Sequence, residues 1–261
     1  MCGRYSVTTA PDAMRRLFRY GELPNFPPRY NVAPTQPIAV VRLVDGERHF
    51  VLMRWGLWPS WVKDPKTFAL LINARGETAA EKPAFRAAMK RRRCLIPADG
   101  FYEWQRDGAR KRPFYIRQRS QEPFAFAGLW ETWTGPNGEE LDTAAIVTIG
   151  ANATLKPIHD RMPVIVPPDA FDLWLDPNAD AKLVQTLIVP APDDLLEAYE
   201  SSTAVNRTAN DGPQLLLPVA EAPEPPPTKS SRPNKPKAEQ AKAAETARRK
   251  SSSDGGQSSL F

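Results

Sequence analysis

The chain has 261 residues, 41% apolar and 25% charged, with a formal net charge of +5. That length allows one large domain or two small ones. Two cysteines are too few for a disulfide framework or a zinc cluster, and no apolar run is long enough to span a membrane.

The chain opens with "MCGRYSV", a cysteine directly behind the initiator methionine. Removal of Met1 would leave Cys2 with a thiol and a free α-amine on adjacent carbons, a 1,2-aminothiol. "TAPDAMRRLFRY" follows, with Thr9 as a candidate N-cap, Pro11 near the first turn, and Met14, Leu17 and Phe18 at helical spacing. The proline-punctuated "NFPPRYNVAPTQP" leads into the apolar run Ile38 to Leu43. With "RHFVLMRWGLW" after the "DGE" turn signal, this run reads as a β-hairpin. "KPAFRAAMKRRR" reads as a second helix and "CLIPADGFYEW" as the strand after it. Further strands are expected at "PFYIRQR", "PFAFAGLWETWT", "TAAIVTIGA" and "PVIVP", and helices at "PDAFDLWLD" and "AKLVQTLI". Many short strands and few helices, without regular βαβ alternation, give an α+β fold: one domain, residues 2–220, on a curved, largely antiparallel β-sheet or barrel with a few flanking helices.

From about Glu221 the chain is rich in Pro, Ser, Lys, Ala and Glu, with almost no apolar residue before the last two. Such a segment buries too little surface to offset its ordering entropy, so residues 221–261 read as a disordered basic tail. The tail holds eight Lys/Arg and five Asp/Glu, which leaves the folded part near +2. Global charge is therefore a weak pointer to nucleic acid. Local runs say more: "RAAMKRRRC" and "RDGARKRPFYIRQR" are dense in cations, although a solvated face accounts for them equally well.

Four polar residues interrupt apolar sequence: Asn73 and Arg75 in "LLINARGE", Glu103 in "DGFYEWQ", and His159 beside Asp160 and ahead of "RMPVIV". Strand ends hold polar side chains in a preorganised site. Each also has a plain structural role open to it. Glu103 can face solvent, His159 can be a satisfied structural group, and Asn73 can form a turn.

The ordered set "MCGRY", "RYNVAPTQ", "RWGLWPSW", "INARGET", "CLIPADGFYEW" and "IHDRMPVIV" closely resembles the SRAP family, the SOS response-associated peptidases. The resemblance runs from Cys2 to about Leu217 and leaves the tail outside. It implies a sensor of abasic sites in single-stranded DNA, which would shield the lesion during replication by cross-linking to it. In this family Met1 is lost, and Cys2 reacts with the opened sugar aldehyde to give a thiazolidine. By motif position, Asn73 resembles the residue that orients the sugar, Glu103 the acid/base, and His159 the histidine of Schiff-base chemistry, β-elimination and reversal. Arg4, Arg75 and Arg161 fall in motifs whose arginines contact phosphates, and Pro34 and Trp61 in loops that shape the DNA path. Pro83 is a departure, standing where some relatives offer a cation. With two cysteines and no signal peptide, the chain reads most simply as cytoplasmic, where thiols stay reduced, and it is expected to be a monomer associated with the nucleoid.

These residue types suit that chemistry. An α-amine titrates near ~7.7–8.0 against ~10.4 for lysine, so at neutral pH a useful fraction is free to form an imine. The neighbouring thiol can then close a five-membered ring, with an effective molarity of about 10⁵–10⁸ M for well-oriented groups. Glu103 between aromatic neighbours suits a raised pKa and general-acid work, and His159 can donate or accept a proton. No metal or other cofactor is expected, since His49 and His159 are far apart and lack a cysteine at ligand spacing. The three tryptophans of "RWGLWPSW" could stack bases, with core packing the fate of at least one. The terminal "GQSSLF", with Gln257, Leu260 and Phe261, resembles peptides that bind the bacterial sliding clamp. Two other classes stay open: a cysteine peptidase with Cys2 as nucleophile, and a non-catalytic single-strand binder.

Overall fold

The computed structural model describes residues 2–108 and 110–220, with Asp107 in its backbone only. The tail, with Gln257, Leu260 and Phe261, lies outside the described residues. The first half holds β1 (Arg4–Val7), α1 (Pro11–Phe18), β2 (Arg29–Val32), β3 (Pro37–Val44), β4 (Glu47–Trp55), β5 (Asn73–Arg75) and α2 (Arg86–Arg91). Then come β6 (Arg93–Ala98), β7 (Gly100–Asp107), β8 (Arg110–Gln118), β9 (Phe124–Thr134) and β10 (Glu140–Gly150). The last elements are β11 (Arg161–Pro163), β12 (Ile165–Val166), α3 (Phe171–Leu175), α4 (Ala181–Thr186) and β13 (Leu196–Glu200). No helix among the described residues is long and apolar enough to cross a membrane.

The hairpin expected from the "DGE" signal is β3–β4, with Val44 opposite Glu47. Asp45 and Gly46 both take positive φ, 50° and 84°, the primed turn that matches strand twist. Strands β10, β4, β3, β6 and β9 follow one another and close through the β9–β10 pairing into a five-stranded barrel. Short β5 and β11 extend along β10, and β12 along β9. A second, five-stranded sheet has the order β13-β8-β7-β1-β2. The fold class is thus as expected, α+β on largely antiparallel sheet with a barrel. Among the named strands of the described residues, β4 and β5 pair parallel with β10.

"CLIPADGFYEW" is not one strand. Its first half, β6, belongs to the barrel and its second, β7, to the other sheet. The switch falls at Asp99, whose carboxylate accepts from the backbone amides of Thr8 and Thr9 and from both threonine hydroxyls. This ties the chain to β1 just as it leaves the barrel. The next residue must be glycine, because a Cβ at Gly100 would lie 2.3 Å from the Tyr115 hydroxyl and 2.7 Å from the Ile116 carbonyl oxygen. The same bonds engage Thr9, so α1 begins at an N-cap, Ala10, that offers no side-chain cap. "PVIVP" is likewise split: Pro163 ends β11 on β10, and Ile165 begins β12 on β9.

Alternation along β7 decides what each face of the second sheet meets. Phe101 turns to the barrel and packs edge-on against Phe126, while its β1 partner Tyr5 packs edge-on against Trp55 and Phe126. Tyr102 turns the other way, into a separate cluster with Tyr115, Val205 and Leu215. Glu103, two residues past Phe101, returns to the barrel side. The seam between barrel and sheet is where the candidate site lies.

Candidate active site at the seam of barrel and sheet

Cys2 is fully buried just ahead of β1. Register sets its neighbours. Arg4 stands opposite Tyr102, which puts Glu103 beside the approach to Cys2. From the barrel side, β5 lies parallel to β10 with Asn73 against Ile146, and Asn73 Nδ2 donates to the Cys2 carbonyl oxygen at 3.0 Å. Asn73 Oδ1 is buried with no hydrogen-bond partner among the described residues, an acceptor left for a substrate hydroxyl.

Electrostatics at Cys2 are set by burial. The Cys2 thiol is pushed well above its ordinary pKa, first by desolvation and then by the Glu103 charge, while it donates weakly to the Arg4 carbonyl oxygen at 4.0 Å. Glu103 is 3% exposed, and burial raises its carboxyl to about 7 against the opposing pull of the amino-terminal charge. Half-protonated at neutral pH, such a carboxyl can give or take a proton. His159 is shifted the other way: burial lowers it, which favours the neutral imidazole. Its Nδ1 lies 3.0 Å from the Arg161 amide, within reach of that N–H donor. The Asp160 carboxylate, 3.0 Å from the same nitrogen, favours the charged ring and only partly offsets the burial.

Two clefts open from this centre. One, of about 410 Å³, is lined by Glu103, His159, Trp104, Arg106, Lys111 and Asn206. The other, of about 460 Å³, holds Asn73, Arg75 and Trp61 with Thr78, Lys82, Pro83, Ala84 and Phe85. Cys2 bears on both, through Glu103 in the first and Asn73 in the second. Of the three tryptophans, Trp55 is core, with Nε1 on the Ile72 carbonyl oxygen. Trp58 is sandwiched between Arg54, 4.2 Å above its ring, and Trp133. Trp61 is 57% exposed and steadied edge-on by Phe68, a flat apolar surface facing outward.

The three expected phosphate contacts differ. Arg75 is exposed in the second cleft. Arg4 faces the other side of the sheet, where Nη1 bonds Asn31 Oδ1 at 2.9 Å and the Val205 carbonyl oxygen at 2.7 Å. Arg161 is clasped by Glu77 through both guanidinium amines, and its Nη2 also bonds the Thr148 carbonyl oxygen at 2.8 Å. That hydrogen bond from Arg161 holds the Glu77 carboxyl below its usual range. The clasp passes over the end of β10 and ties the segment after Asn73 to the turn after His159. Pro34 lines neither cleft. It sits in the turn Ala33–Gln36, where Thr35 carries a φ of 73° and its amide donates to the Trp55 carbonyl oxygen. Pro83 lines the second cleft, and Lys82 beside it supplies a cation there.

Sequence reasoning missed Glu77, Asn31, Arg106 and Lys111 as parts of this region. Asn31 is wholly buried, and its amide serves three backbone carbonyls, those of Val205, Arg207 and Asn210. Only the cationic run around Lys111 carried a signal. Among the described residues, no three His, Cys, Asp or Glu side chains gather to hold a metal ion.

Residues 1–208 match the profile of the SOS response associated peptidase (SRAP) family. The abasic site processing protein YoqW of Bacillus subtilis (strain 168) is 42% identical over 221 residues, covering 83% of this chain and 99% of its own. The abasic site processing protein HMCES of Xenopus tropicalis is 32% identical over 269 residues, 84% of this chain and 78% of its own. A crystal structure of a protein from Bacteroides thetaiotaomicron superposes with a TM-score of 0.71 at 25% identity, covering 77% of this chain and 93% of that one.

Proposed function

The chain belongs to the SOS response associated peptidase family, and from that premise we propose that it processes abasic sites in DNA by covalent capture at Cys2. The finer reading is a thiazolidine cross-link to a lesion in single-stranded DNA. Once Met1 is removed, the Cys2 amine adds to the C1 aldehyde of the opened sugar, giving a carbinolamine. Glu103 in its acid form protonates the departing hydroxyl, water leaves, and an imine remains. The Cys2 sulfur then bonds to the imine carbon, the thiol proton passes to the nitrogen, and the ring is closed. Asn73 fixes the Cys2 backbone and offers its spare Oδ1 to a sugar hydroxyl. His159, whose pKa burial lowers, can move protons at the sugar during ring opening and reversal. Arg75 and Trp61 take the strand in the second cleft, Lys111 and Arg106 in the first. Contacts to backbone and sugar confer little sequence preference.

The observation that carries this reading is the Glu103 carboxyl, buried and raised to about 7, in electrostatic contact with Cys2. The direction of the Cys2 shift also speaks against a peptidase. A cysteine nucleophile works as a thiolate and needs its pKa lowered, whereas burial here raises it. An amine that reacts first, followed by a neutral thiol, tolerates that environment.

Intact mass and a denaturing gel test the proposal. Protein lacking Met1, incubated with single-stranded DNA carrying one abasic site, gives a shifted band that Cys2→Ala abolishes. A shifted band that persists in Cys2→Ala, or cleavage of a peptide substrate without any shifted band, overturns it.

A further inference from the structure

A cavity of about 950 Å³ lies away from Cys2, between α2 and the segment around α4. Its floor is apolar, with Met89 and Val184 buried in it. Its rim carries Arg86, Lys90 and Arg91, all exposed, and no carboxylate lines it. None of the three makes an ion pair among the described residues, whereas neighbouring Arg92 pairs with Glu131 at 2.7 Å. Arg93, buried behind the rim, donates to four backbone carbonyls, of Met89, Lys90, Trp174 and Asp176.

Lys90 and Arg91 lie in the last turn of α2, where the dipole favours cations, but Arg86 does not. Arg86 stands in the first turn, at the positive end of the dipole, and Arg86 and Lys90 are like charges four residues apart. There is no acidic residue in the first turn and no side-chain cap. Packing of Ala88 and Met89 holds α2 in place despite its charges. Unopposed cations around a concave surface suit an anion, and the position says which. The segment 78–86 has one side on the Asn73–Arg75 cleft, through Thr78, Lys82 and Pro83, and the other on this cavity, through Ala80 and Arg86. A strand leaving the cleft has this rim as the next positive surface.

We infer that Arg86, Lys90 and Arg91 form a second track for the phosphodiester backbone of the bound strand, which continues over segment 78–86 from the Asn73–Arg75 cleft. This rests on the DNA reading above, but not on its covalent step. A short oligonucleotide centred on the lesion occupies the cleft alone, and a longer one reaches the track and gains affinity from it.

The test compares the unaltered protein with the triple variant Arg86→Gln, Lys90→Gln, Arg91→Gln on lesion-free and abasic single strands of increasing length, at several salt concentrations. For long strands the variant's slope of log affinity against log salt should fall by about 2, roughly 0.7 for each phosphate that is no longer neutralised. Binding of the shortest strand and the cross-link yield at saturating DNA should not change. Lys90→Gln alone should lower the slope by about 0.7, which guards against misfolding of the triple variant. Identical slopes at every length overturn the inference. So does a loss independent of length, with pyrophosphate competing equally for long and short strands, which assigns the cavity to a small anion. If Cys2 forms no cross-link but the length dependence on lesion-free DNA is present, the covalent reading fails and the track stands.

Discussion

The barrel and the five-stranded sheet differ in the polar groups they bury. Strands β3, β6 and β9 bury hydrocarbon side chains such as Ile38, Val40, Leu95, Ile96 and Phe126, and the charged groups buried with them, Arg93 and Glu131, are held by backbone carbonyls or an ion pair. The sheet buries Ser6 against the Tyr115 hydroxyl at 2.8 Å, Asn31 on its carbonyls, and Glu103, whose carboxyl burial raises to about 7. Moving that carboxyl from 4.5 to about 7 costs roughly 3 kcal/mol of stability at alkaline pH. That electrostatic cost falls on the sheet and most of the hydrocarbon packing on the barrel, while the candidate site draws on both: Glu103 from β7, and Asn73 from β5 on the barrel side.

The sharpest way to break this division is Glu103→Gln. Losing a general acid should slow cross-linking about 10²–10⁴-fold in single-turnover assays. The same change should stabilise the protein at pH 8 by up to roughly 3 kcal/mol. The sign follows from linkage: the folded carboxyl holds its proton more tightly than the unfolded chain does. Its contribution is therefore greatest below about pH 4.5 and declines as pH rises through about 7. Urea unfolding should show the gain at pH 8 and none at pH 4. A variant equally destabilised at both would mean that Glu103 is structural.

Leu95→Ala probes the other side of the comparison. A cavity beside β6 should lower stability by about 2–5 kcal/mol. At a temperature where the variant stays folded, its cross-linking rate should match that of the unaltered protein. A slowed rate would show that barrel packing reaches into the site. Smallest in expected effect is Trp61→Ala, at the solvent edge of the second cleft. It should weaken single-strand affinity by about 1–3 kcal/mol and leave the urea midpoint unchanged.

How much of this was legible beforehand depended on range. The β3–β4 hairpin announced itself because its turn and its apolar alternation are local. The break at Asp99 did not, since the partners that redirect the chain are Thr8 and Thr9, some ninety residues earlier. Strands β1, β5 and β13 are three to five residues long and too short to show a period. Among site residues, Asn73, Glu103 and His159 stood out as polar interruptions of apolar strands, and the family motifs said which role each resembles. Glu77 did not, because nothing in "INARGET" reveals a partner 84 residues away. Arg4 and Arg161 looked like free phosphate ligands for the same reason: their internal acceptors are distant in sequence.

The Glu77 clasp makes Arg161 a contested cation. Any phosphate that takes this guanidinium must first evict a carboxylate already seated on both of its amines, so one anion replaces another and little net attraction is left over. Eviction would also release the tether between the Asn73 strand and the histidine turn, leaving the Thr148 carbonyl oxygen as the acceptor that still holds the guanidinium.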